Sequence, residues 1–156
     1  MYDSKLIHIF QKFSAEEHRQ LKKWIVSPFA NIHEDVIKLM EFLYSRKAIS
    51  TVTTQKTRAF EYLFPKKKYD DLRLRHIMSL TTQILEAFII YFHYQKSETH
   101  RLTALSQFYN QHNLSLYAEQ TSKNIQQYLI KQPKRNSQYY YEIMQTEIND
   151  FILHSK

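Results

Sequence analysis

The stretch "DLRLRHIMSLTTQILEAFIIYFHYQ", residues 71–95, contains neither glycine nor proline. Its apolar residues recur at helical spacing rather than alternating in twos. Leu72, Ile77 and Leu80 mark one face of the first half. From Ile84 to Tyr94 the segment is apolar nearly all round, the pattern of a helix buried on every side. Its longest nearly uncharged run, Ile84 to Phe92, is nine residues, far short of the roughly 20 a helix needs to cross a bilayer. Residues 71–95 therefore read as the long central helix of an all-α protein, with both halves of the chain packed on it and no membrane insertion.

Working outward, the N-terminal side offers four shorter helices. Asp3 or Ser4 can cap the first, which carries Leu6, Ile9, Phe10 and Phe13. "SAEE", residues 14–17, is a capping box in which Ser14 and Glu17 satisfy each other's backbone amides. The helix it opens places Leu21, Trp24 and Ile25 inward, with Trp24 expected to be enclosed by the first three helices. "SPF", residues 27–29, ends it, because a residue before proline is pushed out of helical angles. Asn31 reads as the next cap, followed by the stripe Val36, Leu39, Met40, Leu43 and Tyr44. "ISTVTT", residues 49–54, has β-like composition but no second strand to pair with, so it reads as a loop with a threonine cap. A short helix over 55–63 then buries Phe60, Leu63 and Phe64.

Pro65 stops that helix. Lys66, Lys67 and Lys68 complement the carbonyl end it leaves, Asp70 caps the long helix, and Asp71 stands four residues before Arg75 as a surface ion pair. The same corner is the most basic part of the chain. Residues 51–96 carry an excess of +4, against +2 for residues 1–50 and +1 for residues 97–156, out of a total of +7.

Beyond "KSET", residues 96–99, the composition shifts to glutamine, asparagine and tyrosine. Helices are expected over about 98–112, 115–132 and 137–154, joined by short connectors that make antiparallel neighbours. Their apolar sets are Leu102, Leu105, Phe108 and Tyr109, then Tyr117, Ile125, Tyr128 and Leu129. The last helix carries Tyr141, Met144, Ile148, Phe151 and Ile152, opposite a polar side of Glu142, Gln145 and Asn149. The fold class is thus an all-α bundle of about seven helices around one long central helix, grading into solenoid-like hairpins at the C-terminal end. A single domain is expected, with sub-units at about 1–64, 70–96 and 98–156. The amphipathic "DFILHSK" end reads as the N-terminal portion of a longer protein.

Composition narrows function mostly by exclusion. Average usage of about 7% would supply around eleven glycines, and the chain has none. Without glycine, phosphate-cradling loops, dinucleotide fingerprints and nucleophile elbows lose the residue their backbones need. Cysteine is also absent, which removes thiol chemistry and fits a reducing compartment. The N-terminus has no secretory-signal pattern, so the location expected is cytoplasmic. Eight histidines raise the question of metal, but none of them has a histidine or glutamate three or four residues away, and only His154 has an aspartate, Asp150. His93, inside the apolar run, reads as a core residue. Glu86, the one acid of that run, reads as an edge or interhelix partner rather than a general acid. No catalytic residue, cofactor or metal site is assigned.

What remains is a non-enzymatic helical protein–protein interaction or scaffold module, with a protein partner or self-association. Its candidate interface is Tyr139, Tyr140, Phe151 and Ile152, since three consecutive tyrosines cannot all face one core. The alternative is weak nucleic-acid or acidic-partner binding by the basic segment 56–76, through Lys56, Arg58, Lys66, Lys67, Lys68, Arg73 and Arg75.

Overall fold

A computed structural model describes residues 1–154, without the side chains of Gln138, Asn149, Leu153 and His154. It is all-α, with no strand among the described residues. In chain order the helices are α1 Lys5–Lys12, α2 Ala15–Ile25, α3 Glu34–Tyr44, α4 Lys56–Leu63, α5 Asp71–Lys96, α6 Glu98–Gln111, α7 Ser115–Lys131 and α8 Ser137–His154. The long central helix is α5, which at 1.5 Å per residue spans about 39 Å. Two compact units divide the chain, Met1–Ile90 and Tyr91–Lys156, and the division falls inside α5.

In the first unit the caps follow the local sequence. The Ile7 amide donates to Ser4 Oγ at 3.5 Å, and the Ser14–Glu17 capping box is complete, with amide contacts of 3.3 and 2.8 Å. The core is aliphatic and aromatic, with Leu6, Ile7, Leu21, Leu39, Phe42, Leu74 and Leu85 essentially inaccessible. Phe88 is buried in it, its ring centroid 5.8 Å from Phe13 and 6.1 Å from Trp24. Lys5 pairs with Glu86, which places that acid at the edge of the buried face.

Several local expectations are corrected. Trp24 is half-buried and packs against Phe88 of α5, rather than being enclosed by α1, α2 and α3. Asn31 does not cap α3. His33 occupies that position without a side-chain bond, while the buried Asn31 donates to the Ile25 carbonyl at 2.9 Å and accepts from the His33 amide at 2.9 Å. Asn31 thereby braces a loop that leaves Phe29 95% exposed. The hydroxyls of "ISTVTT" cap no helix either. Ser50 and Thr53 bond each other's amides at 2.8 and 3.2 Å, closing a turn of their own, and Gln55 precedes α4 without a side-chain cap.

The inward face of α5 is Leu74, Ile77, Met78, Thr81, Leu85 and Phe88, and Leu72 is 80% exposed. Ile89, Ile90, Tyr91, His93 and Tyr94 are exposed as well, so the apolar run after Ile84 is not buried all round. A helix presents only one face to a neighbouring layer, and Phe88 is the last side chain of α5 that the first unit encloses.

The second unit is built differently. Its hydrophobic core is small, Ile125, Leu129 and Tyr139 with Leu102 and Ile143 packed against it. Much of the rest of its interior is short or polar: Thr99, Ser106, Ala118, Thr121, Ser122, Glu142 and Thr146. Glu142, only 8% exposed, accepts from Thr99 Oγ1 at 2.9 Å and from Gln132 Nε2 at 3.3 Å. Asp150 accepts from Ser122 and, at 3.1 Å, from Gln126. Short side chains on α6 and α7 let the backbones approach closely, and the polar bonds join α8 to both helices.

Three stability outcomes are expected. Phe88→Ala should cost about 3–5 kcal/mol, as for other core aromatics, in urea unfolding followed by Trp24 fluorescence. Phe29→Ala should stay within about 0.5 kcal/mol of the wild type. Thr99→Val, which removes a donor from a buried carboxylate, should cost roughly 1–3 kcal/mol. A neutral Thr99→Val would mean that the polar seam does not hold the second unit together.

Candidate functional site

The basic segment forms its corner around one carboxylate. Pro65 and a left-handed Lys66 (φ 66°) turn the chain after α4, and Asp70 Oδ1 accepts from the Arg73 amide at 3.0 Å to open α5. Asp71 then receives Lys56 Nζ at 2.8 Å, Tyr69 Oη at 2.7 Å and Arg75 Nη2 at 2.5 Å. The hydrogen bond from Lys56 and then that from Tyr69 hold its carboxyl well below the usual range, at about 2. Arg73 lies 3.6 Å from Asp35, and its guanidinium stacks 3.7 Å from the Phe64 ring centroid. The ion pair Asp71–Arg75 and the cap Asp70 are as the spacing predicts.

Three of the seven candidate cations, Lys56, Arg73 and Arg75, are therefore engaged with carboxylates. Among the described residues Arg58, Lys66, Lys67 and Lys68 pair with none. All four are exposed, and the Lys67 ammonium lies 5.5 Å from the Phe64 ring. A phosphate approaching the corner would compete with Asp71 for two of the seven, Lys56 and Arg75.

The tyrosine run divides as helical geometry requires. Tyr139 is 7% exposed and belongs to the core with Ile125 and Leu129, so it is not available as interface. Arg135 lies over its ring at 5.6 Å. Tyr140 and Tyr141 are exposed.

The rest of α8 is turned opposite to its hydrophobic pattern. The stripe Tyr141, Met144, Ile148, Phe151 and Ile152 faces out, with Phe151 74% and Ile152 47% exposed, while Glu142 and Thr146 face in. Asn149, assigned to the polar side, lies outside the described side chains. The flanking helices share this only in part, because Ile125 and Leu129 of α7 are buried. Leu105, Phe108, Leu116, Tyr117 and Ile130 are exposed while Ser106, Ala118 and Ser122 are buried. The signal for this was present in the small residues of α6 and α7, which are spaced for helix contact.

No three potential metal-ligating side chains come together among the described residues, and no described helix is long and apolar enough to cross a membrane. In comparisons with known proteins the chain matches no family model, no curated protein and no solved structure.

The corner has a pH signature. Asp71 titrates lower when folded than its ordinary value of 3.8, so its contribution to stability is complete above about pH 4 and is lost as pH falls toward 2. Carboxyl-carbon NMR should place its midpoint near 2, and Lys56→Gln should raise it. A midpoint that ignores Lys56→Gln would show the ion pair to be absent in solution.

Proposed function

We propose that this protein is a non-enzymatic, helical protein–protein interaction module that works in the cytoplasm, with the outer face of α8 as its contact surface. The observation that carries this is the outward apolar stripe of α8. Tyr141, Met144, Ile148 and Phe151 are spaced three, four and three apart, which is the seam spacing with which one helix packs along another. Soluble monomers rarely expose a continuous apolar strip of three helical turns. The occupant it suits is another helix, contributed by a second copy or by a different protein. Glu142 and Asp150 are already held by neighbouring helices of the same unit, so pairing along the stripe disturbs neither.

The alternative, nucleic-acid binding by residues 56–76, is supported by the exposure of Arg58, Lys66, Lys67 and Lys68. So few available cations neutralise few phosphates, which makes such binding weak, indifferent to sequence and easily reversed by salt.

Phe151→Glu with Ile152→Lys should abolish self-association in sedimentation equilibrium, or capture of a partner from host extract if the wild type is monomeric. Thermal melting should remain cooperative. Unchanged association in the folded double variant would overturn the assignment of α8 as the contact face.

A further inference from the structure

α2 and α3 run antiparallel in the first unit, so that His18 near the start of α2 meets Tyr44 at the end of α3. The His18 ring nitrogen Nδ1 lies 3.2 Å from Tyr44 Oη. Two surface clefts lie along this pair and share Lys22 and Tyr44 as a common wall. The first, about 400 Å³, is apolar, lined by Ile25, Val26, Ile37 and Met40, with Glu41 at its margin. The second, about 450 Å³, has Arg19, Arg46 and Lys47 around an aromatic floor of Phe10, His18 and Tyr44, and no carboxylate in its lining.

Where they meet, Lys22 Nζ sits 4.5 Å from the Tyr44 ring centroid. The floor adds no negative charge, since a tyrosine hydroxyl is neutral near pH 7 and burial pushes that of Tyr44 higher still, to about 12. Burial and then Lys22 lower the His18 pKa, which favours its neutral form. Arg19 retains an exposed partner, Glu16, at 3.6 Å. Arg46 is oriented rather than neutralised, since its Nε donates to the Phe42 carbonyl at 3.2 Å and its guanidinium lies 4.2 Å from the Phe42 ring centroid.

The geometry points to a peptide-docking groove between α2 and α3 that takes an acidic amphipathic helix from a partner protein. The apolar side chains of the helix occupy the Ile25–Met40 half, and its carboxylates face Arg19, Arg46 and Lys47. Glu41 repels carboxylates from the apolar half, so the groove also sets the direction in which the helix lies. Charge complementarity selects this occupant: apolar and cationic walls in line match a ligand whose apolar and acidic parts are in line. The groove is separate from the α8 face and does not depend on the reading of that face.

The test uses the full chain and a fluorescein-labelled Leu/Glu amphipathic helical peptide, read by anisotropy. Two controls are a Leu/Lys peptide and a Glu-rich peptide of equal charge without leucines. The Leu/Glu peptide alone should bind. Arg19→Glu with Lys47→Glu should weaken it about tenfold or more. Val26→Ser should weaken it by a smaller factor, and Phe151→Glu with Ile152→Lys should leave it unchanged. Equal binding of the leucine-free peptide would reduce the site to unspecific attraction by a basic protein and overturn the proposal. So would loss of binding in the α8 variant, or displacement of the peptide by a single-stranded oligonucleotide or anionic vesicles at lower concentration than by unlabelled peptide.

Discussion

A backbone without a single glycine must end each helix and turn each corner by other means. Most residues resist the left-handed region because Cβ crowds the following carbonyl, at roughly 1–2 kcal/mol per residue. Among the described residues the chain enters it at two, Lys66 and Asn113. After α6, Asn113 (φ 56°) completes a six-residue closure, with the Leu114 amide on the Tyr109 carbonyl at 2.8 Å and the Asn113 amide on the Asn110 carbonyl at 3.3 Å. That turn sets α7 directly against α6. Lys66 does the corresponding work between α4 and α5, and only that corner brings Lys56 to Asp71. The helix starts rely on serine and aspartate caps at Ser4, Ser14, Asp70 and Ser97.

The two units solve the packing problem in opposite ways. The first buries large aliphatic and aromatic side chains and leaves its charges at the rim, as burial energetics favour. The second buries short hydroxyl residues and a carboxylate, and keeps large apolar side chains outside. Interior polarity of this kind is tolerable only when each group is bonded, and Glu142 and Asp150 each receive two side-chain donors. A unit so arranged gains less from burial than its composition allows. The apolar surface left outside is what a partner helix would cover, which ties the packing of the second unit to the proposed function.

Charge is organised the same way, by what is already paired. The most basic stretch of the sequence is partly self-neutralised, since Asp71 gathers Lys56 and Arg75, and Asp35 takes Arg73. Cations less conspicuous in sequence, Arg19, Arg46 and Lys47, converge on one cleft from α2 and the segment after α3. Local charge density alone does not show which cations are already paired.

The helical class, the long α5, the capping box at Ser14, the Asp70 cap and the Asp71–Arg75 pair were all legible in the sequence. Each depends on contacts within about one helical turn, where spacing determines which groups can meet. Hydrophobic periodicity likewise located the helices of the second unit, but it did not decide which side of α8 turns inward. That choice rests on contacts between residues far apart in the chain, Thr99 with Glu142 and Ser122 with Asp150, and on the small residues that let α6 and α7 close together. The α2–α3 groove belongs to the same kind. A side chain's period along a helix restricts it to a face, whereas the partners waiting opposite that face are set only when the helices pack.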